Sequence, residues 1–249
     1  ETFLIRFISD RKGCRFRKMA KPFIKPIISP EEAVSKVKSK TSLMIGGFNY
    51  GGAPYTIIDA LCKAGIKDID LICVDASHFN DKTPDPVGVA NLIVNGQVRS
   101  MTASHIGLNK KAQELCTDGG IKMELIPMGT YVERIRAGGA GLGGFLTPTG
   151  IGTVYEEGRD TIELDGRRYI IERPLRADVA FISAYKADKA GNLIYYGTGR
   201  NFNPIIATAA DVVIAEVNEV VPIGGIDPNN VVTPGIFIDA IVLKGDNPY

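Results

Sequence analysis

The sequence predicts an α/β fold, with a mostly parallel central sheet, flanking helices and a small antiparallel hairpin insertion. Three observations support this class. From Ser29 to Ala137, apolar runs of strand length alternate with helical patterns, which is typical of a parallel sheet with right-handed crossovers. A glycine-rich turn leads from the first strand into a helix. After Gly152 the pattern changes to short strands around an Asp165-Gly166 turn, which favours a hairpin.

The ends of the helices are marked in the sequence. Ser29 supplies an N-cap, and Pro30 stands at the first helical position with Glu32 at the third. Gly65 is typical of the position just after a helix. The predicted helices begin at Pro30 and Pro54 and cover residues 86–94, 109–116, 130–137 and 202–210.

Apolar runs between these helices predict the strands. The predicted central strands are residues 42–45, 69–74, 98–104, 122–126, 179–186 and 212–217. Residues 236–243 either close the sheet or pack on its edge. The insertion is predicted to hold short strands at residues 153–155, 161–164 and 168–172.

The composition is that of a folded protein without a strong charge. Hydrophobic residues make up 45% of the chain and the net charge is +1, which argues against a general nucleic-acid binder. No apolar run is long enough to cross a membrane. The cysteines show no zinc-type spacing, so we expect no metal site and inert thiols in a reducing cytoplasm; they are Cys14, Cys62, Cys73 and Cys116.

Charge is concentrated at the beginning of the sequence, where six of the first 18 residues are basic and two are acidic. This segment is too short and too interrupted by charge for a secretory signal. We expect residues 1–18 to be a non-native or disordered leader, and residues 19–249 to form the domain. A transit peptide is the weaker alternative.

The first motif with chemical meaning is IGGFNYGGAP at residues 45–54. It predicts a strand, a glycine-rich turn and a helix N-terminus, which together offer free backbone N–H groups and the positive end of a helix dipole. Open α/β sheets bind ligands at this edge. A tight turn without a ligand is the competing interpretation, and the motif is neither GxGxxG nor a P-loop.

Two later segments are also candidates. Residues 133–150 are so rich in glycine that we expect a loop after residue 137, lining an acyl or pantetheine channel or an interface with a partner chain. The segment from Arg200 to Pro204 reads as a polar turn before a helix, with Asn203 as the cap. Arg200 could instead bind a phosphate or carboxylate.

Five segments taken in order closely resemble the α subunits of family I CoA-transferases: GGFNYGGAP, ERIRAGGAGLGGFLTPTG, ERPLRADVAF, GNLIYYGTGRNFNP and VTPGIFID. The resemblance covers the chain from about Met19 onward, and GLGGFLTPTG is nearest to the acetate/acetoacetate type. It implies a ping-pong reaction in which a glutamate carboxylate attacks a short-chain acyl-CoA and becomes a glutamyl-CoA thioester. Coenzyme A is then a substrate, and no metal or permanently bound cofactor is needed.

The resemblance also implies site residues. Those expected to contribute to coenzyme A binding are Gly46, Gly47, Phe48, Asn49, Tyr50, Gly51 and Gly52. Those expected to line the substrate pocket are Ala76, Ser77, His78, Met128, Gly129, Gly139 and Gly141. Met128 replaces a glutamine of many relatives, and a thioether is a poor hydrogen-bond partner, so this acyl pocket is expected to be more apolar.

The family's catalytic glutamate lies in a Ser-Glu-Asn-Gly motif, which this sequence lacks. We therefore expect no catalytic residue in this chain and a β subunit that supplies the glutamate, as a heterodimer or an α₂β₂ assembly. Glu133 is interpreted as a structural partner of neighbouring arginines, and His78 and His105 as local hydrogen-bonding residues. The alternatives are a sugar-phosphate isomerase or deaminase, and a non-catalytic ligand-sensing domain of the same fold.

Overall fold

The structure, a computed structural model, describes residues 21–245. The predicted leader at residues 1–18 lies outside the described residues. The strands are β1 Ser42–Ile45, β2 Ile69–Ile72, β3 Val98–Ala103, β4 Lys122–Leu125, β5 Phe145–Thr147, β6 Thr161–Leu164, β7 Arg167–Glu172, β8 Ala177–Asp188, β9 Leu193–Ile194, β10 Ala210–Val221 and β11 Ala240–Leu243. The helices are α1 Pro30–Val34, α2 Tyr55–Ala64, α3 Val89–Val94, α4 Lys110–Thr117, α5 Met128–Ala140 and α6 Asn203–Ile206.

The predicted parallel sheet is confirmed. Seven strands follow the order β11-β10-β8-β1-β2-β3-β4, and β9 pairs with β8 outside this path. Every neighbouring pair along the path is parallel, whereas β9 is antiparallel. A separate sheet of three antiparallel strands, β5-β7-β6, forms the predicted insertion.

The central strands are apolar because both faces of the sheet are covered. Leu43 and Ile45 pack with α2 and α3 in one core, and Met44 faces a second core that contains residues of α5 and α6. In β8, Phe181 packs in the first core and its neighbour Ile182 packs in the second. A fully buried side chain of this size stabilises the fold by about 1.5–3 kcal/mol, so the continuous apolar runs hold the helices on both faces.

Several predicted elements have different limits in the structure. Helix α5 continues through Gly138 and Gly139 to Ala140, and β5 covers Phe145–Thr147, so parts of the expected loop are regular structure. The predicted strand at residues 153–155 is a 3₁₀ helix, Val154–Glu156. Helix α6 has four residues where nine were predicted. The glycines of α5 are explained by packing: a Cβ at Gly138 would overlap the carbonyl of Leu175, and one at Gly139 would overlap Thr208.

The small sheet is fastened to the rest of the protein by a charged cluster. Glu172 is buried, accepts a hydrogen bond of 2.8 Å from the Tyr155 hydroxyl and lies 3.7 Å from Nε of Arg134. Arg134 also pairs with Glu124 at 2.8 Å, and Arg159 lies over the Tyr155 ring. Burial, with the neighbouring Glu172, raises the pKa of Tyr155 to about 12. The hydroxyl therefore remains a hydrogen-bond donor at any physiological pH.

The chain order creates one topological switch point. From β1 the strands are added outward through β2 and β3 to β4, and α5 then leads back to β8 on the other side of β1. The carboxyl end of β1, which lies beside the middle of the longer strand β8, is therefore where the connections diverge. Ligands bind at this position in open α/β sheets, so the segment that follows β1 is placed at the candidate site.

Candidate functional site

The glycine-rich loop of residues 46–52 lies at the carboxyl end of β1. Gly46 N donates to the carbonyl of Phe181 in β8 at 2.9 Å, which continues the sheet by one residue. Phe48 and Gly51 then exchange two backbone hydrogen bonds of 2.9 Å and close a tight turn over Asn49 and Tyr50. Asn49 has a φ of +52°, which residues other than glycine rarely adopt. Phe48 and Tyr50 stay exposed at the tip of this turn.

Asn203 fills the space at the switch point. Its side chain is fully buried, accepts a hydrogen bond from Ser183 N at 3.0 Å and donates to the carbonyls of Gly52 and Gly199 at 2.9 Å. A Cβ at Gly46 would overlap this amide. The expectation that Asn203 caps a helix through its side chain is wrong, because the side chain bonds β8 and the loop of residues 46–52 and makes no cap bond.

The N-terminus of α2 is occupied from within the protein. Oε2 of Glu216 in β10 accepts a hydrogen bond from Ile57 N at 3.0 Å, and four amides of the loop also donate internally. The expected free N–H groups are therefore only partly available to a ligand. Oε1 of Glu216 is buried without a partner among the described residues, and burial raises the pKa of Glu216 to about 7.

A second candidate segment, residues 76–78 after β2, lies against the loop. The buried Asp75 accepts a hydrogen bond from Asn49 N at 2.8 Å and another from Ser77 N at 2.7 Å. The Tyr50 and His78 rings lie 4.3 Å apart between centroids. The structure thus brings together the loop of residues 46–52 and Ala76, Ser77 and His78, which the sequence assigned to two parts of one site.

The remaining candidate residues are divided between the ends of α5. Met128 and Gly129 begin the helix, whereas Gly139 lies in its last turn and Gly141 follows it. A helix rises 1.5 Å per residue, which separates Met128 from Gly139 by about 16 Å. One small pocket cannot be lined by both pairs. Gly139 instead contacts Thr208, and Gly141 adopts a φ of +72° to end the helix.

Two open clefts flank this edge of the sheet. One, of about 250 Å³, is lined by residues that include Gly52, Tyr55, Ser183, Asn218 and Lys244. The other, of about 450 Å³, includes Ser104, Pro127, Tyr155 and Arg159 and lies beside the residue that precedes Met128. Ligand pockets commonly measure about 300–1,000 Å³, so the cleft beside the loop can enclose only part of a large thioester.

Two cysteines and Glu133 lie in surroundings that indicate a structural role. Burial raises the pKa of Cys62 to about 12 and that of Cys73 well above its usual range, so both thiols stay protonated. Glu133 pairs with Arg136 at 2.7 Å, as its structural interpretation required. Within residues 21–245, no cluster of three acidic, histidine or cysteine side chains could hold a metal ion. In the same range no helix is both long and apolar enough to span a bilayer.

Sequence reasoning missed two side chains of this site. Asp75 directly follows the apolar run of β2, and a carboxylate at the carboxyl end of a central strand was a signal for a buried anchor. Glu216 stands inside the predicted strand at residues 212–217, where a lone charge among apolar residues signals a buried partner. Neither signal identifies Asn49, Ser77 or Ile57 as the partner.

The fold and the loop define a class of protein: an open α/β domain whose glycine loop covers the switch point and whose site is open on one side. A sequence model of the coenzyme A transferase family matches residues 27–244. The chain therefore belongs to the coenzyme A transferase family. It is 43% identical over 221 residues to the acetate CoA-transferase subunit alpha of Escherichia coli, covering 89% of this chain and 98% of that relative.

Other relatives agree with this placement. A probable coenzyme A transferase subunit alpha of Bacillus subtilis is 45% identical over 222 residues, covering 89% of this chain and 94% of the relative. The fold matches an acyl-CoA transferase structure from Escherichia coli O157:H7 with a TM-score of 0.79 at 22% identity, covering 90% of this chain and 48% of that longer one. The glutaconate coenzyme A-transferase of Acidaminococcus fermentans gives a TM-score of 0.76 at 20% identity, over 88% of this chain and 75% of that one.

Proposed function

We propose that this chain is the α subunit of a heteromeric CoA-transferase that moves coenzyme A between a short-chain acyl-CoA and a free carboxylate. The observation that carries the proposal is the match to a chain named acetate CoA-transferase subunit alpha, which extends over 98% of that relative. The glycine loop at the switch point of the sheet supports it. The acyl groups we expect are acetyl, butyryl and acetoacetyl.

The reaction requires a carboxylate that this chain does not supply in the family's motif. In the expected mechanism, a β-subunit glutamate attacks the thioester carbonyl and releases the coenzyme A thiolate, leaving a mixed anhydride. The thiolate then attacks the glutamyl carbonyl, which releases the first carboxylate and forms glutamyl-CoA. A second carboxylate reverses both steps and leaves with coenzyme A.

We assign the loop of residues 46–52 to coenzyme A binding and residues 76–78 to the acyl region. Support for this assignment comes from their contact through Asp75 and from the exposed Phe48 and Tyr50 side chains at the same edge. Met128, which is 40% exposed at the start of α5, is assigned to the same region as an apolar contact. Its thioether favours a longer acyl chain such as butyryl.

The proposal is tested by producing the chain alone and together with a family β subunit encoded beside it. We expect no turnover from the chain alone and transfer from acetyl- or butyryl-CoA to acetoacetate or acetate once the two chains are combined. Borohydride reduction during turnover should modify a glutamate of the partner. Modification of Glu133 or Glu172 here, or turnover by the single chain, would contradict the proposed division of labour.

The same preparation separates the alternatives. A sugar-phosphate isomerase or deaminase would act without a second chain, and its assay with a sugar phosphate gives the answer directly. A ligand-sensing domain would stay inactive in both assays after mixing. The family relationship favours the transferase over both.

A further inference from the structure

We propose that Asp75 is a positioning residue that fixes the loop of residues 46–52 and the segment of residues 76–78 in one arrangement. The proposal rests on the proposed function, since it takes both segments to contact the thioester substrate. Asp75 is only 6% exposed. It therefore acts through its two neighbours and does not itself contact the reacting atoms.

Each carboxylate oxygen of Asp75 accepts a hydrogen bond from a different segment. Oδ2 accepts from Asn49 N at 2.8 Å, and Oδ1 accepts from Ser77 N at 2.7 Å. Hydrogen bonds to an ionised acceptor are shorter and stronger than those between neutral groups. Asp75 thus joins Asn49, which lies 26 positions earlier in the sequence, to its own segment, with no intervening side chain.

Both residues that Asp75 holds have unusual backbone conformations. Asn49 has a φ of +52° and Ser77 a φ of +54°. Residues other than glycine rarely adopt this region, and such conformations persist only where the surroundings enforce them. One buried carboxylate therefore stabilises two strained positions, one in each candidate segment.

Neighbouring contacts also connect the two segments. The Tyr50 ring lies against His78, and the Tyr55 hydroxyl donates to the carbonyl of Tyr50 at 3.0 Å. Ser77 is confined by Gly88, where an added Cβ would lie 3.3 Å from the serine hydroxyl. We infer that removing one acceptor of Asp75 displaces both segments and so disturbs the alignment of the thioester.

The test replaces Asp75 with asparagine in the assembled α and β pair. The amide keeps the size of the side chain, but its NH₂ group faces a backbone donor. A misplacement of about 1 Å at a reacting centre can reduce the rate about 100-fold, so we expect kcat to fall by about 10- to 100-fold. The KM for acyl-CoA should change by less than about threefold, because the loss concerns alignment more than binding.

Asp178→Asn is the matched control. Oδ2 of Asp178 accepts from Ser42 N at 3.0 Å and from Ser42 Oγ at 2.7 Å, at the start of β1 and thus at the opposite edge of the sheet. We expect this variant to lower the melting temperature as much as Asp75→Asn does, with kcat unchanged. An equal decrease of kcat in both variants, or an unchanged kcat in Asp75→Asn, would overturn the proposal.

A double-mutant cycle with Ser77→Gly examines the mechanism, since glycine adopts the φ of Ser77 without strain. The decrease in kcat caused by Asp75→Asn should be at least threefold smaller in the Ser77→Gly background, about 0.6 kcal/mol of coupling. Equal decreases in both backgrounds would contradict the role of Asp75 in holding this conformation.

Hydrogen exchange of the unmodified pair supplies a measurement that needs no variant, and it decides the matter if Asp75→Asn fails to fold. The amides of Asn49 and Ser77 should exchange at least tenfold more slowly than the amide of Gly166 in the exposed turn of the insertion. Equal rates would overturn the proposal. A wild-type pair without turnover would instead refute the proposed function, so the two failures are distinguishable.

Discussion

At the scale of single residues, Gly46 and Gly51 of the loop differ in whether they can accept a Cβ. A Cβ at Gly46 would overlap the Asn203 amide, which joins β8 to Gly52 and Gly199. We expect Gly46→Ala to lower the free energy of unfolding by about 1–3 kcal/mol, because the amide must leave a packed position. Urea denaturation monitored by circular dichroism measures this change.

Gly51→Ala is the control in the same loop. Its Cβ would lie 3.5 Å from the nearest atom, the carbonyl oxygen of Phe48, which is an ordinary van der Waals contact. We expect a change of at most about 0.5 kcal/mol. Similar losses for the two variants would show that the loop, and not the Asn203 side chain, resists a Cβ.

Glu216 makes the free energy of unfolding depend on pH. Burial raises its pKa from 4.5 to about 7, so between these values the folded state holds a proton that the unfolded state releases. Its contribution to stability is therefore complete below pH 4.5 and is lost as the pH rises through 7, a decrease of about 3 kcal/mol at 1.36 kcal/mol per unit. Glu216→Gln stays neutral and should remove this decrease.

The measurement compares the free energy of unfolding of the two proteins at about pH 5 and pH 8, where other titrating groups contribute equally to both. As the pH rises, the free energy of unfolding of the wild type should fall relative to that of Glu216→Gln. A constant difference across this range would mean that Glu216 titrates near its ordinary pKa despite being 1% exposed.

At the scale of elements, α5 shows why packing can override helix propensity. Gly138 and Gly139 let the helix approach Leu175 and Thr208 without a Cβ between them. Gly139→Ala should lower the free energy of unfolding by about 1–3 kcal/mol despite the better helix propensity of alanine. Gly129→Ala in the first turn of the same helix meets no atom within 4 Å and should be neutral or stabilising by up to about 1 kcal/mol. Thermal denaturation of both variants decides the point.

Periodicity predicted the central strands and most helices because those signals are local. Strand β1 has the predicted limits, and the ends of α2 follow Pro54 and Gly65. Helix α6 was predicted too long, since it ends at Ile206 and β10 begins at Ala210. The predicted end of α5 was wrong because Gly138 and Gly139, which indicate a loop in the sequence, make close contacts with residues 37 and 69 positions further along the chain. A sequence pattern contains no information about such a partner.

At the scale of the whole molecule, the fold class followed from the alternation of strands and helices, but the location of the site also required the strand order. That order places β8 beside β1, and with it Asn203 beside the glycine loop. The family resemblance singled out the loop residues as candidates, whereas Asp75 and Glu216 were missed because their partners lie 26 and 159 residues away. Distant pairs of this kind become visible only in three dimensions.

The hydrogen bond between Asn203 and the carbonyl of Gly52, which are 151 residues apart, has a consequence for biosynthesis. A ribosome releases the glycine-rich turn long before it makes the asparagine that shapes it. The early part of the nascent polypeptide therefore cannot complete the packing of this turn by itself. The loop therefore reaches its observed conformation only after β8 has docked beside β1 and Asn203 has been made, and a product that ends before Asn203 would leave Gly46 and Gly52 without this partner.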